Sequence, residues 1–307
     1  MLIITKFKKL INNPAIRFGY FTKLGLYNWL DDEKFLKKKW KLVFGSELDL
    51  KNPKTYNEKL QWLKLNDRKE IYTTMVDKAE AKKYVSDIIG EEYIIPTIGV
   101  YDRFDDIDFD KLPDQFVIKC THDSGGIVIC KNKAELDVKA ARKKINKFLK
   151  RKYYYMHREW PYKNVKPRII VEKYMEDKNN KTMRDYKFFC FDGEAKIVYV
   201  SDGSHSENQK IAFFDMSFNY LPIERTDYKK FDVLPKKPKN FDKMKKLSAR
   251  LSSNIPHVRV DWYEIDGRLY FGEFTFSTCA GMVPFTEKKW DEELGKLINL
   301  NLVGQND

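Results

Sequence analysis

Residues 257–282 read HVRVDWYEIDGRLYFGEFTFSTCAGM, and this stretch decides the fold class. Two runs of strand-like residues flank Asp266-Gly267, a strong hairpin signal. Val258, Val260, Trp262, Tyr270 and Phe274 hold even positions and are apolar, whereas His257, Arg259, Asp261, Glu273 and Thr275 hold odd positions and are polar. One face of the hairpin should meet a core and the other should carry charge. A two-residue loop would pair odd with even positions and mix the faces. A three-residue loop, Ile265-Asp266-Gly267 with Gly267 left-handed, pairs Glu264 with Arg268 and preserves parity. That register sets Arg259 opposite Glu273 and Asp261 opposite Phe271. Two carboxylates and an arginine on one face fit a Mg²⁺ site, since Mg²⁺ on nucleotide phosphates takes one or two protein carboxylates. On the hairpin alone they fit better an exposed face with an ion pair between Arg259 and Glu273.

Outward from the hairpin, strand patterns recur at 115–120, 126–130, 168–175, 185–191, 196–201 and 210–215, with a second Asp-Gly turn at Asp192-Gly193. Residues 134–151 read as a helix with Val138, Ala141, Ile145, Phe148 and Leu149 on one face. Residues 1–68 read as helical, with a capping box at Thr55-Tyr56-Asn57-Glu58. The segment from Ile3 to Leu30 is basic and amphipathic, through Phe7, Leu10, Ile11, Phe18 and Phe21. Such a stripe covers the main domain or lies on an anionic membrane surface. The fold class is α+β with mostly antiparallel sheets.

The chain has 307 residues, 42% hydrophobic, with 14 glycines and 11 prolines, which excludes collagen-like, low-complexity and largely disordered classes. A net charge of +13 implies an anionic partner. Cys120, Cys130, Cys190 and Cys279 lie far apart with no C-x-x-C pair, against a zinc ribbon or a disulfide framework, and read as reduced, buried thiols. There is no signal-peptide pattern and no apolar run of 18 residues, so the expected location is the cytoplasm. His122, His157, His205 and His257 make no metal spacing, and no nucleophile elbow occurs, so a covalent triad is not expected. Arg151-Lys152-Tyr153-Tyr154-Tyr155 could stack on bases or form a packed aromatic cluster, and no nucleic-acid motif accompanies it.

Two further stretches bear on chemistry. In Phe116-Val117-Ile118-Lys119-Cys120-Thr121-His122-Asp123-Ser124-Gly125-Gly126 a strand delivers a lysine into a small polar turn. Backbone N–H groups in such a turn approach phosphate closely, and a surface strand-turn-strand is the plainer alternative. The strand ending Glu172-Lys173-Tyr174-Met175 offers backbone groups and a carboxylate to an adenine edge, or simply leaves the core.

In order along the chain, Asp77-Lys78, Val117-Ile118-Lys119 with its Ser-Gly-Gly turn, Val171 to Met175, Arg259-Val260-Asp261 and Glu273-Phe274-Thr275 resemble the ATP-grasp superfamily, with spacing like that of the D-alanyl-D-alanine ligases. Asn52 to Trp62, His157-Arg158-Glu159-Trp160-Pro161-Tyr162 and Asp185 to Phe191 resemble its TupA-like branch, which is linked to teichuronopeptide and surface-polysaccharide biosynthesis. The resemblance covers about residues 40 to 300. It implies an ATP-grasp fold of two α/β subdomains gripping a nucleotide, with an N-terminal helical extension at 1–68 and the ATP-grasp domain at 69–307. Within that domain it implies a leading part at 69–114, a nucleotide-covering subdomain at 115–173 and a catalytic subdomain at 174–307.

The resemblance assigns Lys78 and Lys119 to ATP phosphates, and Asp123, Ser124, Gly125 and Gly126 to a phosphate-covering loop. Glu172, Lys173, Tyr174 and Met175 become the adenine hinge, with Glu172 at the exocyclic amine and Asp185 at the ribose. Lys187 touches phosphate, Arg259 stabilises transition-state charge, and Asp261, Glu273 and Thr275 ligate Mg²⁺. Thr275 departs from the family, where asparagine is usual. The implied reaction is a Mg²⁺- and ATP-dependent carboxylate–amine ligation through an acylphosphate. It would amidate a uronic acid or attach an amino acid, with an anionic sugar or polysaccharide precursor and an amine as substrates, peripheral contact at the inner membrane face and no nucleic acid. A glycosyltransferase of the same pathway, using a nucleotide-sugar donor, is the alternative.

Overall fold

The computed structural model describes residues 12–178, 183–203 and 208–304. The N-terminal Phe7, Leu10 and Ile11, and His205, lie outside the described residues. The helical extension contains α1 (Pro14–Lys23), α2 (Asp32–Phe44) and α3 (Tyr56–Asn66). Asn13 caps α1 by accepting from the Ile16 N–H, with Pro14 at the first position. α1 does cover its neighbour: Phe18 stacks on Tyr27 at 4.5 Å and leans on Phe35 of α2 at 5.2 Å. The expected capping box opens α3, with Thr55 Oγ1 accepting from Glu58 N at 3.3 Å and Glu58 Oε2 accepting from Thr55 N at 3.0 Å.

After α4 (Ile71–Val76) and α5 (Glu80–Ile89), strands β1 (Thr97–Tyr101), β2 (Phe116–Cys120), β3 (Ile127–Cys130) and β4 (Ile169–Lys173) form an antiparallel sheet in the order β1-β4-β2-β3. α6 (Val138–Leu149) buries Ala141 and Ile145 with Phe116, Ile118 and Val171 of this sheet, and α7 (Tyr154–His157) follows. The second sheet contains β5 (Asp185–Phe191), β6 (Glu194–Asp202), β7 (Lys210–Asp215), β8 (Tyr220–Leu221), β9 (Val258–Ile265) and β10 (Arg268–Thr275), in the order β10-β9-β5-β6-β7-β8. α8 (Phe241–Leu251) packs Phe241, Met244 and Leu251 on one face of it. α3 and α9 (Lys288–Leu297) cover the other face, with Tyr56, Leu60 and Leu294 against Phe189, Phe191 and Phe213.

The α+β architecture follows the sequence reading, and Asp192-Gly193 forms the expected tight turn with Phe191 paired to Glu194. Four details differ. First, the loop at Asp266-Gly267 has two residues rather than three, because Arg268 pairs with Ile265 and Leu269 with Glu264. Asp266 (φ 49°) and Gly267 (φ 77°) are both left-handed, as a type I′ turn requires. Parity is restored farther along by a bulge: Phe271 opposes Trp262 but Phe274 opposes Val260. Arg259 therefore lies opposite Thr275, not Glu273, and Asp261 faces the bulge rather than Phe271. Second, β9 is not an exposed face, since Asp261 is 1% and Arg259 6% exposed. Third, Cys279 is exposed, while Cys120, Cys130 and Cys190 are buried free thiols as expected. Fourth, α4, α5, α9, β1 and α8 were not anticipated. β1 is an edge strand with little apolar alternation, and the apolar spacing of α8 lies among lysines.

His257 pins α3 to the second sheet. The Tyr56 hydroxyl meets its Nε2 at 2.9 Å, and its Nδ1 meets the Cys190 carbonyl at 2.9 Å. That pairing requires a neutral ring with the proton on Nδ1. Burial holds the His257 pKa down at about 3, so its contribution to stability is complete above the ordinary value of 6.5 and is lost as pH falls toward 3. Urea unfolding across pH 6.5 to 4 should show His257→Gln losing about 1.4 kcal/mol less per pH unit than the wild type. Parallel curves would mean that His257 does not carry this proton linkage.

Candidate active site

The first cluster stands on the four-stranded sheet. Lys119 leaves β2 and Glu172 leaves β4, two strands paired so that Glu172 faces Val117. The Glu172 carboxylate is 5% exposed and bridges two ammoniums, Lys119 Nζ at 2.5 Å and Lys82 Nζ of α5 at 2.5 Å. Burial alone would raise its pKa, but the two lysines hold it below the usual carboxylate range. Lys82 was absent from the sequence reading. At the end of β4 Lys173 is exposed, and Tyr174 and Met175 beyond it are half-buried, with Lys131 Nζ 5.5 Å from the Tyr174 ring centroid.

The turn after β2 closes with the Cys120 N–H donating to the Gly126 carbonyl at 2.8 Å. Ser124 and Gly125 form its exposed tip, while Asp123 is 1% exposed, with Oδ1 3.2 Å from Arg151 Nη1. Burial pushes the Asp123 pKa up to about 6, against the pull of Arg151. Lys78, between α4 and α5, donates from Nζ to the Asp123 carbonyl at 2.8 Å, and its N–H donates to the Thr121 carbonyl at 3.2 Å. Burial lowers the Lys78 pKa, and Glu273 foremost, with Asp123 and Glu172, opposes that change. Lys78 is thus the cation on which both sheets act.

The second cluster stands on the six-stranded sheet. Lys187 of β5 is the direct cross-strand partner of Asp261 on β9, and Asp185 of Tyr263. Asp261 receives a two-pronged pair from Arg259, Nε to Oδ1 at 2.7 Å and Nη2 to Oδ2 at 2.9 Å, and Lys187 Nζ lies 2.5 Å from Oδ2. Burial alone would raise the Asp261 pKa, yet Arg259 and Lys187 bring it below the usual range. Burial alone would lower the Lys187 pKa, and Asp261 and Asp185 carry it well above the usual lysine value. Lys187 also lies 3.6 Å from Asp185, which accepts from the Ser201 hydroxyl at 3.2 Å. Arg259 continues outward, donating to Thr275 Oγ1 at 2.9 Å, Tyr199 Oη at 3.2 Å and Thr278 Oγ1 at 3.4 Å, with Glu273 at 3.5 Å. Glu273 is 47% exposed, the most open acid of this group.

The helical extension forms a third wall. Gln61 Nε2 donates to the carbonyls of Ala280 (3.2 Å) and Gly281 (2.8 Å), and Lys64 Nζ to that of Ala280 at 2.7 Å. These bonds hold three successive left-handed residues, Cys279 (φ 50°), Ala280 (φ 56°) and Gly281 (φ 59°), immediately after Thr278. A Cβ at position 281 would lie 2.4 Å from Gln61 Nε2 and 3.0 Å from Leu60 Cβ, so only glycine fits. Arg158, 1% exposed, stacks at 4.4 Å on Phe35, donates to the carbonyls of Tyr27 (2.7 Å) and Leu30 (3.1 Å), and ties the 157–162 segment to α2. Gln61 and Glu159 lie inside longer stretches of the sequence pattern that give them no role of their own. Nothing in the local pattern singled out Lys39, Lys64, Lys82 or Tyr199.

A cation held by the second cluster has donors of the right chemistry. Among the described residues no group of three or more His, Cys, Asp and Glu side chains could hold a metal by itself. Mg²⁺ on phosphates needs only one or two carboxylates, and Glu273 is open. Asp261 keeps one of its roughly four lone-pair positions, on Oδ1. The Thr275 hydroxyl accepts from Arg259.

The Asp261 pair and the Glu273 carboxylate should contribute unequally to stability. Lys187→Met leaves a buried Asp261 short of one cation and should cost about 3–5 kcal/mol in urea unfolding. Glu273→Gln, half-exposed and held at 3.5 Å, should cost under about 1 kcal/mol. Equal losses would contradict this division between a structural and an open carboxylate.

A family model described as TupA-like ATP-grasp matches residues 58–299. No curated protein matches the chain. Among solved structures, it is similar to D-alanine–D-alanine ligase from Bacillus anthracis (17% identity, 81% of this chain and 69% of that chain, TM-score 0.44). The corresponding ligase from Helicobacter pylori gives 12%, 80%, 69% and 0.42, and D-cycloserine synthetase DcsG gives 14%, 75%, 71% and 0.40. With the model spanning most of its length and both charged sheets in place, the chain belongs to the TupA-like ATP-grasp family.

Proposed function

We propose that this protein is an ATP- and Mg²⁺-dependent ligase that joins a carboxylate to an amine during surface-polysaccharide biosynthesis. The observation that carries the reading is Lys78, whose ammonium is held by the phosphate-loop carbonyl of Asp123 and lies in the field of Glu172 on one sheet and Glu273 on the other. A nucleotide phosphate chain between the sheets would meet Lys78, Lys119 and Lys187, with the turn from Asp123 to Gly126 over it. Glu172 to Met175 and Asp185 would border the adenosine. Glu273, Asp261 and Thr275 would hold Mg²⁺, which when bound neutralises phosphate charge.

In the first step a substrate carboxylate oxygen bonds to the γ-phosphorus and the bond to ADP breaks. In the second, the amine lone pair bonds to the acyl carbon, phosphate leaves with the bonding pair, and the amine proton passes to solvent or base. Neither step needs a protein nucleophile, which agrees with a cluster of fixed cations and no triad. Arg259, oriented by Asp261, Thr275 and Tyr199, would meet charge developing at the transferred phosphoryl. The net charge of +13 suits an anionic sugar precursor.

Thermal denaturation with Mg-ATP at 100 times the dissociation constant should gain about 2.7 kcal/mol, several degrees, and Lys119→Ala and Glu273→Ala should abolish the gain. A response to Mg-UDP-sugar in place of Mg-ATP would replace the ligase reading with a nucleotide-sugar transferase. Contact with an anionic membrane is supported by Ile16, Tyr20, Leu24, Leu26 and Trp29, all exposed (Trp29 79%), beside Arg17 and Lys23. No helix among the described residues is long and apolar enough to cross a membrane. Phosphatidylglycerol vesicles should co-sediment the protein, and Leu26→Ser with Trp29→Ser should release it; binding unchanged by the pair would rule this contact out.

A further inference from the structure

Arg151, just beyond the C-terminus of α6, is a cation that neither reaction step uses, and it lies against the turn from Asp123 to Gly126. Its backbone is fixed there. The Arg151 N–H donates to the Phe148 carbonyl at 3.0 Å, and its own carbonyl accepts from His122 Nε2 at 3.2 Å. Phe148 sits directly on the turn, since a Cβ at position 126 would stand 2.8 Å from Phe148 Cβ and 2.8 Å from Cys120 Sγ. The side chain is committed far less. Nη1 alone reaches the turn, 3.2 Å from Asp123 Oδ1 and 3.4 Å from the Ser124 carbonyl. Nε and Nη2 have no hydrogen-bond partner among the described residues, neither is shut off from solvent, and the side chain is 29% exposed.

A settled arginine–carboxylate pair is present elsewhere in the same chain: Arg259 takes Asp261 through both Nε and Nη2, at 2.7 and 2.9 Å. Arg151 instead holds Asp123 by one nitrogen and keeps its Nε–Nη2 edge open, the edge that matches two oxygens of a phosphate at once. Asp123 is equally unfinished. Its carboxylate is buried, its Oδ2 has no partner among the described residues, and the adjacent His122 Nδ1 is likewise buried and unpaired. Polar atoms left unpaired at such depth are costly, and they mark an arrangement that another state can improve. Lys78 brings a second cation onto the same residue, through the Asp123 carbonyl at 2.8 Å. Two cations at the phosphate turn are thus directed at Asp123 itself.

We propose that Asp123 stands in for phosphate in the nucleotide-free protein and that Arg151 is a further phosphate-contacting residue, whose guanidinium leaves Asp123 and turns its Nε–Nη2 edge to oxygens of the nucleotide's phosphate chain. The exchange replaces a single-point ion pair with a two-pronged one. It needs only side-chain rotation, because the backbone of Arg151 is already held by Phe148 and His122. The assignment rests on the nucleotide reading above, and adds to it one residue that binds phosphate and one carboxylate that competes with phosphate.

Calorimetric binding of adenosine, ADP and an ATP analogue with a β,γ-imido bridge to the full chain in Mg²⁺ buffer tests it. Arg151→Met should weaken the analogue by about tenfold or more and leave adenosine within about twofold. An equal loss for ADP places the contact on the inner phosphates, and no loss for ADP places it on the terminal one. Asp123→Asn should tighten the analogue by about threefold or more, because the internal competitor is gone, and this gain should vanish in the Arg151→Met background. Circular dichroism checks that each variant is folded, and Arg151→Lys, which keeps the charge and loses the fork, stands in with the same direction of effect should Arg151→Met fail to fold. Analogue binding unchanged by Arg151→Met, adenosine weakened as much as the analogue, no gain from Asp123→Asn, or a gain that persists without Arg151 would each overturn the assignment, while nucleotide binding by the wild type keeps the wider reading. A wild-type chain that binds no nucleotide sinks both.

Discussion

The Asp261 carboxylate, gripped by Arg259 along its own strand and by Lys187 across the ladder, is the interaction on which the rest depends. All three side chains lie in the middle of the six-stranded sheet, where an unpaired charge would cost several kcal/mol. Their pairing specifies register: Lys187 opposes Asp261 directly, and a slip of one residue between β5 and β9 would send one of them to the α8 face. It also aims Arg259. With Nε and one Nη2 bond committed to Asp261, the remaining donors point to Thr275, Tyr199 and Thr278, so the guanidinium is fixed before any ligand arrives. Preorganised charge of this kind is the form of catalysis open to a site without a nucleophile.

The helical extension is part of the same construction. Thr278 belongs to a loop that continues through three left-handed residues, and such backbone persists only where its surroundings over-determine it. Gln61 and Lys64 of α3 supply that restraint by capping the carbonyls of Ala280 and Gly281. α3 is itself held by the Tyr56–His257–Cys190 chain of hydrogen bonds, and the 157–162 segment is tied to α2 through Arg158. The Arg259 cluster, the strained loop and the extension are linked through bonds short enough that a shift in one displaces the others.

Much of this was legible in the residue order. The capping box at Thr55, both Asp-Gly turns as hairpins, and the strands carrying Lys119, Glu172, Lys187, Arg259 and Asp261 all followed from local patterns. The hairpin loop did not. Strict alternation made the three-residue loop look necessary, because a bulge at Gly272-Glu273 restores parity without leaving a mark in the polarity pattern. The expected exposure of this face failed for a related reason: His257, Arg259 and Asp261 are polar, yet they are buried against α3 and the 277–281 loop, with the Arg259–Glu273 pair at its open edge, and polarity does not report what lies above a sheet.

What the sequence by itself determined was the set of elements and the charged residues each one delivers, because periodicity, turn chemistry and capping are properties of neighbours along the chain. Tertiary structure alone decided which charges meet. Lys82 shares Glu172 with Lys119, and Lys78 reaches the Asp123 carbonyl while answering to acids on both sheets. A charge's effect depends on its burial and on partners within a few ångströms, and for residues 90 to 200 positions apart only the packed chain supplies those distances.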